Sequence, residues 1–208
     1  LTVYHAWELS AGFAAALAAF QGLKLIVTAL IAALLLIATR SRRAAYLHTG
    51  TLDAPARTLG MPDFPARSTW RTFGPVMAVL VTAATCAFFL LGARLPPAPL
   101  ARVLPWVLAA VVLAALNAFS EEVQFRSGLL APLVPLAGYR QALWMAPLYF
   151  GLAHYFGGTP GGWPGVAITF VLGWLFSKAA LDTGGIGWSW FLHWLQNAVI
   201  YSLWAIAA

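Results

Sequence analysis

Apolar residues run through this chain in blocks too long for the core of a soluble protein. Six stretches stand out, near 9–38, 74–93, 103–130, 140–157, 164–181 and 187–207. Each approaches or exceeds the roughly 20 helical residues that cross the hydrocarbon core of a bilayer. Runs such as Ala29-Leu30-Ile31-Ala32-Ala33-Leu34-Leu35-Leu36-Ile37 do not alternate between apolar and polar positions. A membrane β-barrel needs that alternation over strands of about ten residues, so the pattern predicts an all-α fold, a polytopic transmembrane helical bundle. The first stretch is too long for a signal peptide and is followed by Arg40, Arg42 and Arg43 rather than a small-residue cleavage site.

The polar positions between these blocks set the topology. Segment 40–73 carries six arginines with Pro55, Gly60, Pro62 and Pro65, and the other connections are short breaker clusters rich in proline and glycine. The positive-inside rule places loop 40–73 in the cytoplasm. Arg140 and Lys178 then fall on the same side, with Arg94 and Arg102 outside. Trp70, Trp163, Trp188 and Trp190 lie near expected helix ends, as an interfacial aromatic belt requires. One integral membrane domain over 1–208 is expected, with no internal repeat.

Composition agrees. Of 208 residues, 62% are hydrophobic and only 9% charged, against about 25% charged in soluble domains. Soluble and disordered proteins are excluded. The net charge of +6 comes from loop arginines facing anionic lipid, so the bilayer is the expected partner and nucleic acid is not. A single cysteine, Cys86, excludes an intramolecular disulfide and a cysteine-based metal cluster, and its apolar setting suits a packed small side chain.

Function therefore rests on polar side chains inside the spans, where an ionisable group costs about 2.5–3.5 kcal/mol to insert. Late in the third stretch stands Ser120-Glu121-Glu122-Val123-Gln124-Phe125-Arg126. Glu122 and Arg126 share a helical face at i,i+4 and can pair. Glu121 is turned about 100° away and is left freer, as suits a general base. The fourth stretch offers Phe150 and His154 on one face, and the last offers His193 and Asn197, a pair of groups able to receive an oxyanion. Lys24 either snorkels or faces inward. Glu8, Arg140, Lys178 and Asp182 are expected at solvated helix ends, and His5 and His48 in terminal and loop positions.

Glu121-Glu122-x-x-x-Arg126, Phe150-x-x-x-His154 and His193-x-x-x-Asn197, in this order, resemble the three motifs of the CPBP intramembrane proteases. That family comprises the type II CAAX prenyl endopeptidases and their bacteriocin-processing or Abi-type relatives. The resemblance covers about 103–205 and implies six to eight helices. It implies an endopeptidase acting on membrane-associated, CAAX-type protein or peptide substrates through a glutamate-activated water in the bacterial cytoplasmic membrane. Glu121 would activate the water with help from His154. His193 and Asn197 would stabilise the oxyanion, Glu122 and Arg126 would orient the site, and Phe150 would pack beside it. No cofactor is expected. For Glu121 and His154 to share a water, the fourth helix must start later than residue 140, or residues 135–140 must run along the interface; the second is expected.

Other functions use similar residues. A zinc protease could take His154, His193 and Glu121 as ligands with one open position, although no His-Glu-x-x-His is present. A transporter could use buried Glu and His for ions, but would carry internal symmetry and paired broken helices. A non-catalytic binding or immunity scaffold would keep its phenotype after Glu121→Gln.

Overall fold

The structure, a computed structural model, describes residues 12–57, 68–92, 100–157 and 160–207. Its helices are α1 (Gly12–Thr39), α2 (Trp70–Gly92), α3 (Leu100–Glu122), α4 (Ala131–Ala137), α5 (Tyr139–Gly157), α6 (Gly162–Thr183) and α7 (Gly187–Ala207). A π-helical segment, Val123–Leu130, joins α3 to α4. Two-residue strands, β1 (Pro55–Ala56) and β2 (Ser68–Thr69), pair antiparallel with Pro55 opposite Thr69. The all-α bundle stands, with six long helices among the described residues, at the low end of the expected number. The start of the first expected span, with His5 and Glu8, lies outside them, as does Arg94.

Among the described residues, four helical stretches are long and apolar enough to cross a membrane: Ala19–Thr39, Trp70–Leu91, Val107–Ala137 and Gly162–Thr183. The remaining two long helices, α5 and α7, are diluted by polar side chains, among them His154, His193, Gln196 and Asn197. Large apolar side chains point outward, including Leu23, Leu30, Leu34 and Ile37 on α1 and Val79 and Leu91 on α2. In water these faces would be an aggregation liability; hydrocarbon is the solvent that suits them. α5 lies along α6 and α3 along α7. The first pair is close because glycines remove side-chain bulk: a Cβ at Gly151 would come within 2.8 Å of the Val166 carbonyl oxygen, and one at Gly173 within 2.8 Å of the Phe150 ring.

The third helix departs from expectation. Helical backbone runs unbroken from Leu100 to Ala137, seven residues past the expected end at 130, and α5 begins at Tyr139 after Gly138 at φ 85°. Pro132 and Pro135 both lie within this continuous helical run, in α4. Glu121 is therefore seventeen residues before Gly138 and His154 sixteen after it. Two arms of nearly equal length bring the two side chains to one level. The late start of helix 4 is ruled out, and the stretch expected to lie along the interface is the tip of a helical hairpin.

Residues 40–57 fold back on the bundle. The Thr51 N–H donates to the Thr183 carbonyl, Ile186 N–H to His48 and Gly187 N–H to Thr49. Gly50, at φ 78°, sits so close that a Cβ would stand 2.7 Å from the Thr183 carbonyl oxygen. Beneath the loop lies a buried polar cluster centred on Asp182, whose side chain has no exposure. Asp182 Oδ2 accepts from Lys178 Nζ at 2.5 Å, Trp70 Nε1 at 2.9 Å and the Arg57 N–H at 3.2 Å, and Oδ1 accepts from the Tyr139 hydroxyl at 3.0 Å. This corrects the expectation that Asp182 and Lys178 are solvated; Arg140 is exposed as expected. It also removes Trp70 from the aromatic belt, since its ring is fully buried. Trp188 and Trp190 likewise donate to protein carbonyls, Leu52 and Ala115. Trp163 is exposed and free to meet the interface.

Candidate active site

Three helices deliver the expected residues to one place. The last turn of α3 supplies Glu121 and Glu122, the π-helical segment Arg126, α5 Phe150 and His154, and α7 His193 and Asn197. Single π turns recur at functional sites because the extra residue per turn re-aims side chains; here the π segment starts directly after the two glutamates.

The two carboxylates have different surroundings. Glu122 is fully buried. Its Oε2 lies 3.3 Å from Arg126 Nε and its Oε1 2.8 Å from His193 Nδ1. Arg126, also fully buried, stacks its guanidinium over Phe150 at 4.9 Å and Phe176 at 5.6 Å from the ring centroids. Glu122 and Arg126 thus form an internal ion pair walled by aromatic rings, where a missing partner would leave an uncompensated charge.

Glu121 is divided between its two oxygens. Oε1 accepts from Lys24 Nζ at 2.7 Å and from Asn117 Nδ2 at 3.0 Å. Oε2 is buried and has no hydrogen-bond partner. It faces two imidazoles, with His193 Nε2 at 3.5 Å and His154 Nε2 at 3.8 Å. Glu122 Oε2 also lacks a hydrogen bond, so the two glutamates differ in what that second oxygen faces: a guanidinium for Glu122 and two imidazoles for Glu121.

The histidines are held by their other nitrogens. His154 Nδ1 lies 2.8 Å from the Phe150 carbonyl oxygen. A carbonyl only accepts, so Nδ1 carries the hydrogen and Nε2 presents a lone pair when the ring is neutral. The Glu122 carboxylate fixes His193 in the same way. Phe176 stacks on His193 at 4.9 Å and 17°, and Phe150 meets it edge-on at 5.7 Å. Asn197 Nδ2 is buried without a partner, a donor held in reserve one helical turn from His193.

Sequence reasoning missed Asn117, although it sits one turn before Glu121, and Phe176, which looks like any other core aromatic. Lys24, undecided from sequence, points inward. Among the described residues no group of three His, Cys, Asp or Glu side chains is arranged to hold a metal ion. The donor set agrees: Glu121 already carries an ammonium on one oxygen, and such a charge opposes a dication on the other.

Residues 102–199 match the family model described as Rce1-like, Type II CAAX prenyl endopeptidase Rce1-like. No curated protein and no solved structure matches the chain. The matched segment runs from the first turn of α3 into α7 and holds Glu121, Glu122, Arg126, Phe150, His154, His193 and Asn197. Over residues 102–199, just under half of the chain, the sequence is similar to the Rce1-like type II CAAX prenyl endopeptidases.

Proposed function

We propose that this integral membrane protein is an intramembrane endopeptidase that hydrolyses peptide bonds of membrane-associated substrates, CAAX-type prenylated proteins among them, with a water activated by Glu121. The observation that carries this reading is the unpartnered Glu121 Oε2, buried opposite the Nε2 atoms of His154 and His193. A water placed between these three atoms has a base on one side and acceptors or donors on the others.

In the reaction, Glu121 Oε2 takes a proton from the water as its oxygen attacks the substrate carbonyl, and the neutral His154 Nε2 accepts the water's second hydrogen bond. Negative charge grows on the carbonyl oxygen. Asn197 Nδ2 is the free amide donor for it, and His193, anchored through Nδ1 on Glu122, adds a second donor when its Nε2 carries a proton. Preorganised donors of this kind are each worth about 10²–10³ in rate. Glu121 then passes its proton to the leaving amine. Glu122, Arg126, Phe150 and Phe176 hold His193 in place. No metal is needed in this scheme. The arginine-rich loop 40–73 faces the cytoplasm, in the inner membrane of a bacterium.

Purified wild type and Glu121→Gln are compared on a fluorogenic prenylated CAAX peptide and on unprenylated membrane peptides, with and without chelator. Turnover that survives chelation and vanishes in the variant supports the reading. Turnover abolished by chelator establishes a zinc enzyme instead. A fully active Glu121→Gln removes Glu121 as base, and a folded wild type inert on every peptide favours the non-catalytic scaffold.

A further inference from the structure

Lys24 belongs to α1, outside the segment that matches the family and outside the three motifs. It is nevertheless the cation nearest to Glu121, 2.7 Å from Oε1, with a side chain only 19% exposed. It does not act alone. Its Nζ also donates to Asn117 Oδ1 at 2.6 Å, and Gln21 Nε2 donates to that same oxygen at 3.2 Å. Asn117 Nδ2 closes the triangle on Glu121 Oε1. Farther along, Gln124 Nε2 donates to Thr28 Oγ1 at 3.3 Å.

The spacing makes this a seam. Gln21, Lys24 and Thr28 stand at i, i+3 and i+7 on α1, and Asn117, Glu121 and Gln124 at i, i+4 and i+7 across the junction of α3 and the π segment. Such stripes lie on single helical faces. The rest of α1 offers lipid-facing leucine and isoleucine, so the polar stripe fixes which side docks. A lysine in a span can snorkel to the interface; this one turns inward to a carboxylate that already has an amide donor.

A carboxylate held by one oxygen cannot rotate freely about its side chain. With Oε1 occupied by an ammonium and an amide, Oε2 alone is left toward the histidines. We propose that Lys24 is a positioning residue for Glu121: seated on Asn117, its ammonium pins Oε1 so that Oε2 faces the attacking water. α1 thereby becomes part of the catalytic apparatus as well as a membrane span. The inference rests on Glu121 being the base.

The test is steady-state kinetics on the full chain in detergent with the cleaved peptide. Lys24→Met keeps an unbranched, flexible stem without the ammonium and leaves Gln21 and Thr28 to dock α1. It should lower kcat about 100-fold, the size of effect that a small misplacement of a reacting group produces, with KM and thermal unfolding unchanged. Lys24→Arg should keep most of kcat. Lys24→Cys in a Cys86→Ala background should be impaired and should recover when aminoethylation restores an ammonium. A Lys24→Met enzyme with wild-type kcat overturns the proposal. So does a loss of kcat that follows a loss of thermal stability and returns with neither arginine nor aminoethylation, because that is a purely structural role. If Lys24→Met does not fold, Lys24→Cys measured before and after aminoethylation decides by the same criterion. Glu121→Gln separates the two ideas: an inactive Glu121→Gln beside a fully active Lys24→Met overturns only the role of Lys24, whereas an active Glu121→Gln overturns the base.

Discussion

The bundle buries two acidic centres, and they are built to different ends. Around Asp182 both oxygens are taken by Lys178, Trp70, Tyr139 and the Arg57 backbone, drawn from α6, α2, α5 and the end of β1. Around Glu121 one oxygen is held by Lys24 and Asn117, and the other faces two imidazoles without a hydrogen bond. Burying a carboxylate is repaid only when its lone pairs are met. The first centre meets that condition and ties residues 40–57 to the bundle. The second falls short of it by one oxygen, and a buried group left short is poised to take up a water or a substrate. Asp182 and Glu121 share burial and charge and differ in how many of their lone pairs are met.

Substitutions can break this contrast. The largest effect is expected from Glu121→Gln, which keeps the shape and removes the proposed base: kcat should fall by about 10²–10⁴ while thermal unfolding in detergent stays near wild type. Asp182→Ala should do the reverse. It strands Lys178 and the Trp70 indole in a closed interior and should cost about 3–5 kcal/mol of stability, read as a lower unfolding temperature and loss of monodispersity. A stable Asp182→Ala protein would remove the distinction. Asn197→Ala sharpens the comparison, because its amide has no partner to lose in the resting protein; about a 100-fold fall in kcat with unchanged stability is expected from the same two assays. The smallest effect belongs to Tyr139→Phe, which deletes one of several bonds to Asp182 and should cost about 1 kcal/mol with activity retained.

These two centres were unequally visible in the sequence. Glu121, Glu122, Arg126, His154 and His193 stood out because charge and imidazole are rare inside apolar runs, and helical spacing separated the glutamates. The Asp182 centre was hidden. Asp182 and Lys178 lie near a helix end, where solvent is the default, and residues 51–57, Trp70 and Tyr139 close them in. Lys24 was ambiguous for a related reason: its fate depends on which face of α1 docks, a contact across more than ninety residues of chain. The stripe of Gln21, Lys24 and Thr28 on one face was the available signal. The end of the third helix was misjudged at 130, since Pro132 and Pro135 read locally as breakers, whereas the continuous backbone places them within α4.

The helical hairpin around Gly138 has one more consequence. Its two arms work as a ruler: seventeen residues down from Glu121 and sixteen up to His154 set the gap at which a water can sit. Removing a single residue from either arm would shift one member by about 1.5 Å and swing it by about 100°, enough to part base and imidazole without touching either. In the proposed mechanism, chain length in this hairpin is therefore itself a parameter of catalysis.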